Sequence, residues 1–197
     1  MLQAREYACF GVGRRECDDP TIFQGDIRSF EKQWMPLTHQ DQLDWMILNH
    51  AVMGPTTRNS LSINSDDLTA AIEVNVVSCL RVIRQCLSAL KRSKDPRIAL
   101  IMSKGGLQKN APAKGLLAYK VSKAAQIVLG KTLSADLKEL GIPLVLINPG
   151  WVSTRIGGKN APHSPEFSAE NILNIFDNIG LNDSGKAFDW NGTELTF

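Results

Sequence analysis

The sequence predicts a doubly wound α/β domain, a parallel sheet covered by helices on both faces. Three observations predict it. Short apolar runs of strand type alternate with longer segments of helical period. The strand runs are continuously apolar rather than alternating, as strands buried on both faces are. Two of them close abruptly, one on glycine and one on proline.

The elements follow in order. The run over 7–13 is apolar and closed by Gly11 and Gly13 ahead of Arg14 and Arg15, which suits a first buried strand. Residues 21–27 make a second, weaker one. The runs over 43–49 and 97–102 are the third and fourth, and 143–148 is the fifth, ending at Pro149-Gly150. Ser65, Asp66 and Asp67 can cap a helix over 68–90 whose apolar residues occupy more than one face, so it must be covered on two sides. A second helix is predicted over 118–140, stopping at Gly141, where a left-handed cap is cheapest, just ahead of Pro143.

Composition bounds the function. A chain of 197 residues with 43% hydrophobic content makes one domain, residues 1–197, without repeat or linker. Its formal charge of +2 supplies no basic field for a phosphate backbone, so nucleic acid is not an expected partner. No apolar stretch approaches the ~20 residues that span a bilayer, and Met1 to Glu6 lack the core of a signal peptide; a soluble, cytoplasmic protein is expected, without a membrane partner. Cys9, Cys17, Cys79 and Cys86 show no CxxC spacing and read as reduced, structural thiols, with Cys79 and Cys86 on one helix face. His39, His50 and His163 are scattered, and no metal site is expected.

In parallel sheets of this kind the ligand crevice lies beyond the carboxyl ends of the strands. Those ends carry Arg14, Asp26-Ile27, Asn49-His50-Ala51, Ser103 and Pro149-Gly150-Trp151-Val152. Tyr119 and Lys123 stand four residues apart, on one face of the second helix. A phenol titrating near ~10 exchanges protons poorly at neutral pH unless a neighbouring positive charge favours phenolate, and Lys123 can be that charge. Ser103 ends the strand before this helix and can hold a substrate oxygen beside the phenol. Asn75 interrupts the apolar pattern of the first helix and can support a water that continues the proton path.

Asn75 in a buried helix, Ser103 at a strand end, Tyr119-x-x-x-Lys123 on the next helix and Pro149-Gly150 after the next strand are laid out as in the short-chain dehydrogenase/reductase family. The chain resembles that family from about Tyr7 onward, and its C-factor-like and sniffer-like subgroup most. The matching segments are 43–51, 72–76, Ser103 with its run to the tyrosine, 118–125, 148–154 and the tail 187–192. The resemblance implies a Rossmann-like fold and an oxidoreductase acting on a small-molecule carbonyl or alcohol. Tyr119 would be the general acid or base, Lys123 would lower its pKa and bind the nicotinamide ribose, Ser103 would orient the carbonyl, and Asn75 would hold a relay water. Thr154 and the backbone of Val152, after Pro149 and Gly150, would contact the carboxamide. Asp26 and Ile27 would flank the adenine, and Asn49 would line the cleft. Arg14 falls where the family meets a ribose 2′-phosphate, so NADP(H) is favoured over NAD(H). Helices 68–90 and 118–140 would pack a homodimer or homotetramer.

The family's opening strand, glycine-rich phosphate turn and helix are absent from the residues before Asp26. The run over 7–12 matches the family's second strand and is therefore expected to pair directly with 43–48, or to leave a gap that another chain fills. Without the glycine turn, dinucleotide affinity should fall. Leu48 and Ala51 stand where the subgroup has Asn and Gly, and Met102-Ser103 replaces a serine pair. The loop 157–167 carries no chemistry that names a substrate. Two other functions compete with the NADP(H) oxidoreductase: a non-catalytic relic serving as a signalling or interaction protein, and a cofactor-free protein that uses the Tyr119–Lys123 pair for acid–base work.

Overall fold

Apolar runs that recur at strand length pair side by side in the computed structural model, which describes residues 8–13, 21–28, 42–107 and 115–196. Tyr7, Arg14, Cys17 and His39 lie outside the described residues. Strand β3 (Trp45–Leu48) pairs in parallel with β4 (Arg97–Ile101), and β4 with β5 (Leu144–Asn148). The register aligns Leu48 with Leu100 and Leu100 with Leu146. Two further strands were not expected: β6 (Ala187–Asp189) continues the parallel order beside β5, and β7 (Glu194–Leu195) closes it in antiparallel pairing.

Alternation along the strands explains the layers. Leu100, Leu144 and Leu146 point to one face with Cys79, Val82, Cys86 and Leu90, whereas Ala99, Ile101, Val145 and Ile147 point to the other with Phe176. Both faces are buried, as the unbroken apolar runs require. Helix α1 (Ser65–Ile72) passes through one π-helical turn (Glu73–Val77) into α2 (Ser78–Arg92), so the single predicted helix is interrupted at Asn75. Its cap is Asn64, one residue ahead of the predicted group, and its side chain accepts the Asp66 N–H at 3.1 Å. Helix α3 (Leu117–Glu139) ends as predicted on Gly141, at φ +75°. Helix α4 (Pro165–Asn178), opened by Ser164, covers the Phe176 face and went unpredicted.

The expected pairing of 7–12 with 43–48 is not observed. Strand β1 (Gly11–Gly13) pairs in parallel with β2 (Ile22–Gln24), in a two-stranded sheet of its own. The anchoring after β2 gives the reason. Ile27 packs on the main core and the Arg28 carbonyl accepts from Arg81 Nη1 at 2.7 Å, while Arg81 pairs with Glu73 at 3.0 Å. Between β1 and β3 lies a cavity of about 560 Å³, bounded by Phe10, Gly11 and Val12 on one side and by Trp45 to Val52 on the other.

Gly130 lets α3 approach the sheet: a Cβ there would stand 2.9 Å from Leu100 Cδ2 and 3.1 Å from Leu146 Cδ2, both on fully buried residues. Gly130→Val is expected to destabilise the fold by about 2–3 kcal/mol through overpacking. Urea unfolding of the two proteins measures it.

Candidate active site

The carboxyl ends of β3, β4 and β5 and the residue after β6 open into a second cavity, of about 680 Å³. Ser103, Tyr119, Lys123, Asn49, Pro149, Gly150, Val152 and Thr154 all line it. Asp26 and Ile27 line the first cavity instead, and Asn49 and Ala51 line both.

Helix α3 carries Tyr119 and Lys123 one turn apart. It begins after Leu116, whose left-handed backbone (φ 57°, ψ 36°) is a strained conformation for a branched residue and sits on the cavity wall. The Lys123 ammonium is 2% exposed and lies 5.9 Å from the Tyr119 ring centroid. Its Nζ donates to the Ile101 carbonyl at 3.0 Å and to Gln126 Oε1 at 2.9 Å, which leaves one of its three N–H groups uncommitted among the described residues. Burial pushes this lysine down to about 8.

The phenol behaves differently from the sequence expectation. Burial holds Tyr119 above the usual tyrosine value, and the group that pulls it down is the Ser103 hydroxyl. Ser103 caps the 3₁₀ turn Lys104–Gly106, its Oγ accepting the Gly105 N–H at 3.1 Å. Gly106 is required there, because a Cβ would fall 2.7 Å from the Lys123 carbonyl carbon.

Asn75 is fully buried and ties three elements together. Its Oδ1 accepts the Val52 N–H at 2.8 Å, and its Nδ2 donates to the Val52 carbonyl at 2.9 Å and to Ser122 Oγ at 2.8 Å. Beneath it, Ser78 Oγ donates to the Val74 carbonyl, so the hydrogen bond of 2.6 Å between His50 Nε2 and Ser78 Oγ has histidine as donor. Burial, helped by the Lys123 charge, pushes His50 down to about 4.

A family model for short chain dehydrogenases matches residues 21–164, most of the chain, a range that holds Asn75, Ser103, Tyr119 and Lys123. The chain belongs to the short-chain dehydrogenase family. It is 34% identical over 130 residues to C-signal of Myxococcus xanthus, covering 66% of this chain and 78% of that one. The carbonyl reductase Sniffer of D. melanogaster superposes with a TM-score of 0.81 at 25% identity, over 89% of this chain and 77% of its own. A carbonyl reductase from Pseudomonas aeruginosa PAO1, solved in complex with NADP, superposes with a TM-score of 0.81 at 21% identity, over 100% and 91%. The chain spans 54% to 78% of the length of the first relatives it matches.

Within this family member, the structure brings Ser103, Tyr119 and Lys123 around one cavity, with Asn49 and the 149–154 loop on its rim. Asn75 stands behind Ser122 rather than on the cavity wall. Asp26 is held by Arg28, with Oδ2 2.6 Å from Nη2. Arg14 lies outside the described residues. Sequence reasoning missed Lys104, Asn148 and Asp189, which meet at the strand ends, and the aromatic rim. His163 and Trp190 rings stand 4.7 Å apart and His163 and Phe167 rings 5.0 Å apart, with Trp151 half-exposed beside them. The signal for Asp189 was available, since it ends an apolar run as Asn148 does.

Two outcomes follow from this geometry. Asn75→Ala strands the Val52 N–H in a buried place and should cost about 3 kcal/mol in urea unfolding. Lys123, at about 8 in the folded chain, binds fewer protons than the unfolded chain between there and its ordinary 10.5. Stability from this group therefore rises with pH across that window, and below pH 8 the cost of the buried charge is complete. The advantage of Lys123→Met over the native chain should shrink by about 3 kcal/mol between pH 7 and 10.5, read from paired urea titrations.

Proposed function

We infer that this chain reduces a carbonyl compound, or oxidises the matching alcohol, using NADP(H). The observation that carries the reading is the meeting of a phenol, a hydroxyl and a buried ammonium on one cavity at the strand ends. The residues present suit the nicotinamide half of such a cofactor. Lys123 has one N–H that would serve a ribose hydroxyl, Thr154 and the Val152 backbone on the cavity wall would hold the carboxamide, and Pro149 and Gly150 shape the turn that carries them. The two cavities share Asn49 and Ala51, so the adenine half would continue toward Asp26 and Ile27. Arg14 would meet the 2′-phosphate, which favours NADP(H) over NAD(H).

When bound, the nicotinamide supplies or takes up the hydride. Tyr119, held in its protonated form by burial, donates its proton to the carbonyl oxygen in the reducing direction. Ser103 hydrogen-bonds the same oxygen and fixes it beside the phenol. Lys123 keeps a positive charge near the ring at neutral pH. Asn75, with both amide hydrogens engaged and its side chain behind Ser122, ties the segment after β3 to the helix that carries the phenol. Exposed Val77, Val121 and Val128 on α1–α2 and α3 support a homodimer or homotetramer through those helices.

Tyr119→Phe should lower kcat with NADPH by about 10²–10⁴-fold while calorimetric NADPH affinity stays within a few-fold. Arg14→Ala should weaken NADPH more than NADH. Only millimolar binding, or none, would turn the conclusion to the relic acting as an interaction protein.

A further inference from the structure

Lys104, Asn148 and Asp189 come from three different strand ends and meet in one small network. Asp189, the last residue of β6, is 7% exposed and Asn148, the last of β5, 6%. Asn148 Nδ2 donates to Asp189 Oδ1 at 2.8 Å, and its Oδ1 accepts the Lys104 backbone N–H at 3.2 Å. Lys104 Nζ forms an ion pair with Asp189 Oδ2. The Trp190 N–H completes the carboxylate's partners at 3.0 Å from Oδ1. Burial alone would raise the Asp189 carboxyl; Lys104, Asn148 and Trp190 outweigh it and hold the group below its usual value.

The Ser103–Lys104 peptide is thereby gripped through its backbone and through its side chain. The far end of the same turn rests on α3 at Gly106, beside Lys123. The turn thus has one anchor on the helix that carries the phenol and another on β5 and β6. We propose that Lys104 and Asp189 are positioning residues, whose ion pair, shared with Asn148, sets where the Ser103 hydroxyl stands relative to the Tyr119 phenol. Neither residue contacts the phenol in this role; they act through Ser103. The function assigned above is the ground on which this role matters.

The Lys104 side chain is 42% exposed, so loss of Asp189's charge frees it to swing into solvent rather than stay buried unpaired. Asn at position 189 can still accept from Asn148 and Trp190, which keeps β6 in place. Among the described residues, the charged and titratable groups that share the cavity with the phenol are Lys123 on its own helix, Lys104 after β4, and His163 at the mouth.

The test needs no cofactor. The chain has two tyrosines, Tyr7 and Tyr119, so Tyr7→Phe leaves a single phenol whose ionisation is followed by phenolate absorbance. If Asp189 acted by charge alone, Asp189→Asn would lower the Tyr119 midpoint, because Lys104 would lose its counter-ion. Positioning predicts the opposite, a rise of about 0.5–1 pH unit as the Ser103 hydrogen bond is weakened. In a Ser103→Ala background Asp189→Asn should add little, since the bond it acts through is already gone. Lys104→Met serves if Asp189→Asn folds poorly: removing its charge raises the midpoint in either background, and positioning predicts a further rise that is lost in Ser103→Ala. An unchanged or lowered midpoint in Asp189→Asn, or a full additional rise in Ser103→Ala, overturns the proposal. A chain that fails to bind NADPH yet shows these shifts overturns the oxidoreductase reading and leaves the positioning role standing; turnover without the shifts does the reverse.

Discussion

A lysine ammonium at 2% exposure has to be solvated by protein atoms, and the catalytic end of this molecule is arranged around that requirement. Lys123 finds the Ile101 carbonyl and Gln126 Oε1, so α3 can lie only where its first turns reach the end of β4. The same approach brings Gly106 against the α3 backbone and places the Ser103 turn beside Tyr119. The Lys123 charge adds to the burial that depresses His50, whose ring donates to Ser78 on α2. A chain that merely packed apolar faces would have no reason to set this helix at this height.

The strand ends answer the same problem in another way. Asn75 joins the segment after β3 to α3, and Asn148 with Asp189 joins the ends of β4, β5 and β6. Asn75 and Asn148 are each met by partners from a different part of the chain, so removing either leaves its partners without bonds. That is why amides and a carboxylate stand at the boundary between an apolar sheet and an open cavity. The cavity keeps its shape because its walls are tied rather than only packed.

The sheet's other edge is organised differently. β1 and β2 pair with each other, and a cavity separates them from β3. The expectation that 7–12 would close directly onto 43–48 treated the sheet as a set of free strands, but Ile27 and the Arg28–Arg81 contact fix the β1–β2 unit to the helices.

The first five strands, the parallel class, the glycine stop of α3 and the Tyr119–Lys123 pair on one helix face were legible in the sequence, because each depends on local period, a turn signal or a spacing within one element, whereas Ser103 joined that pair through the family resemblance. The short elements were not: β6 has three residues, and α4 announces itself by little more than Ser164 and Pro165. Nor was the balance at Tyr119 legible, since whether burial or Lys123 governs the phenol depends on where the ammonium sits relative to the ring. The sequence by itself determined which chemical groups the chain carries and on which elements. Only the tertiary structure decided which of them touch, because hydrogen bonds such as Asn148 to Asp189 join residues 41 apart along the chain, a separation that no local pattern encodes.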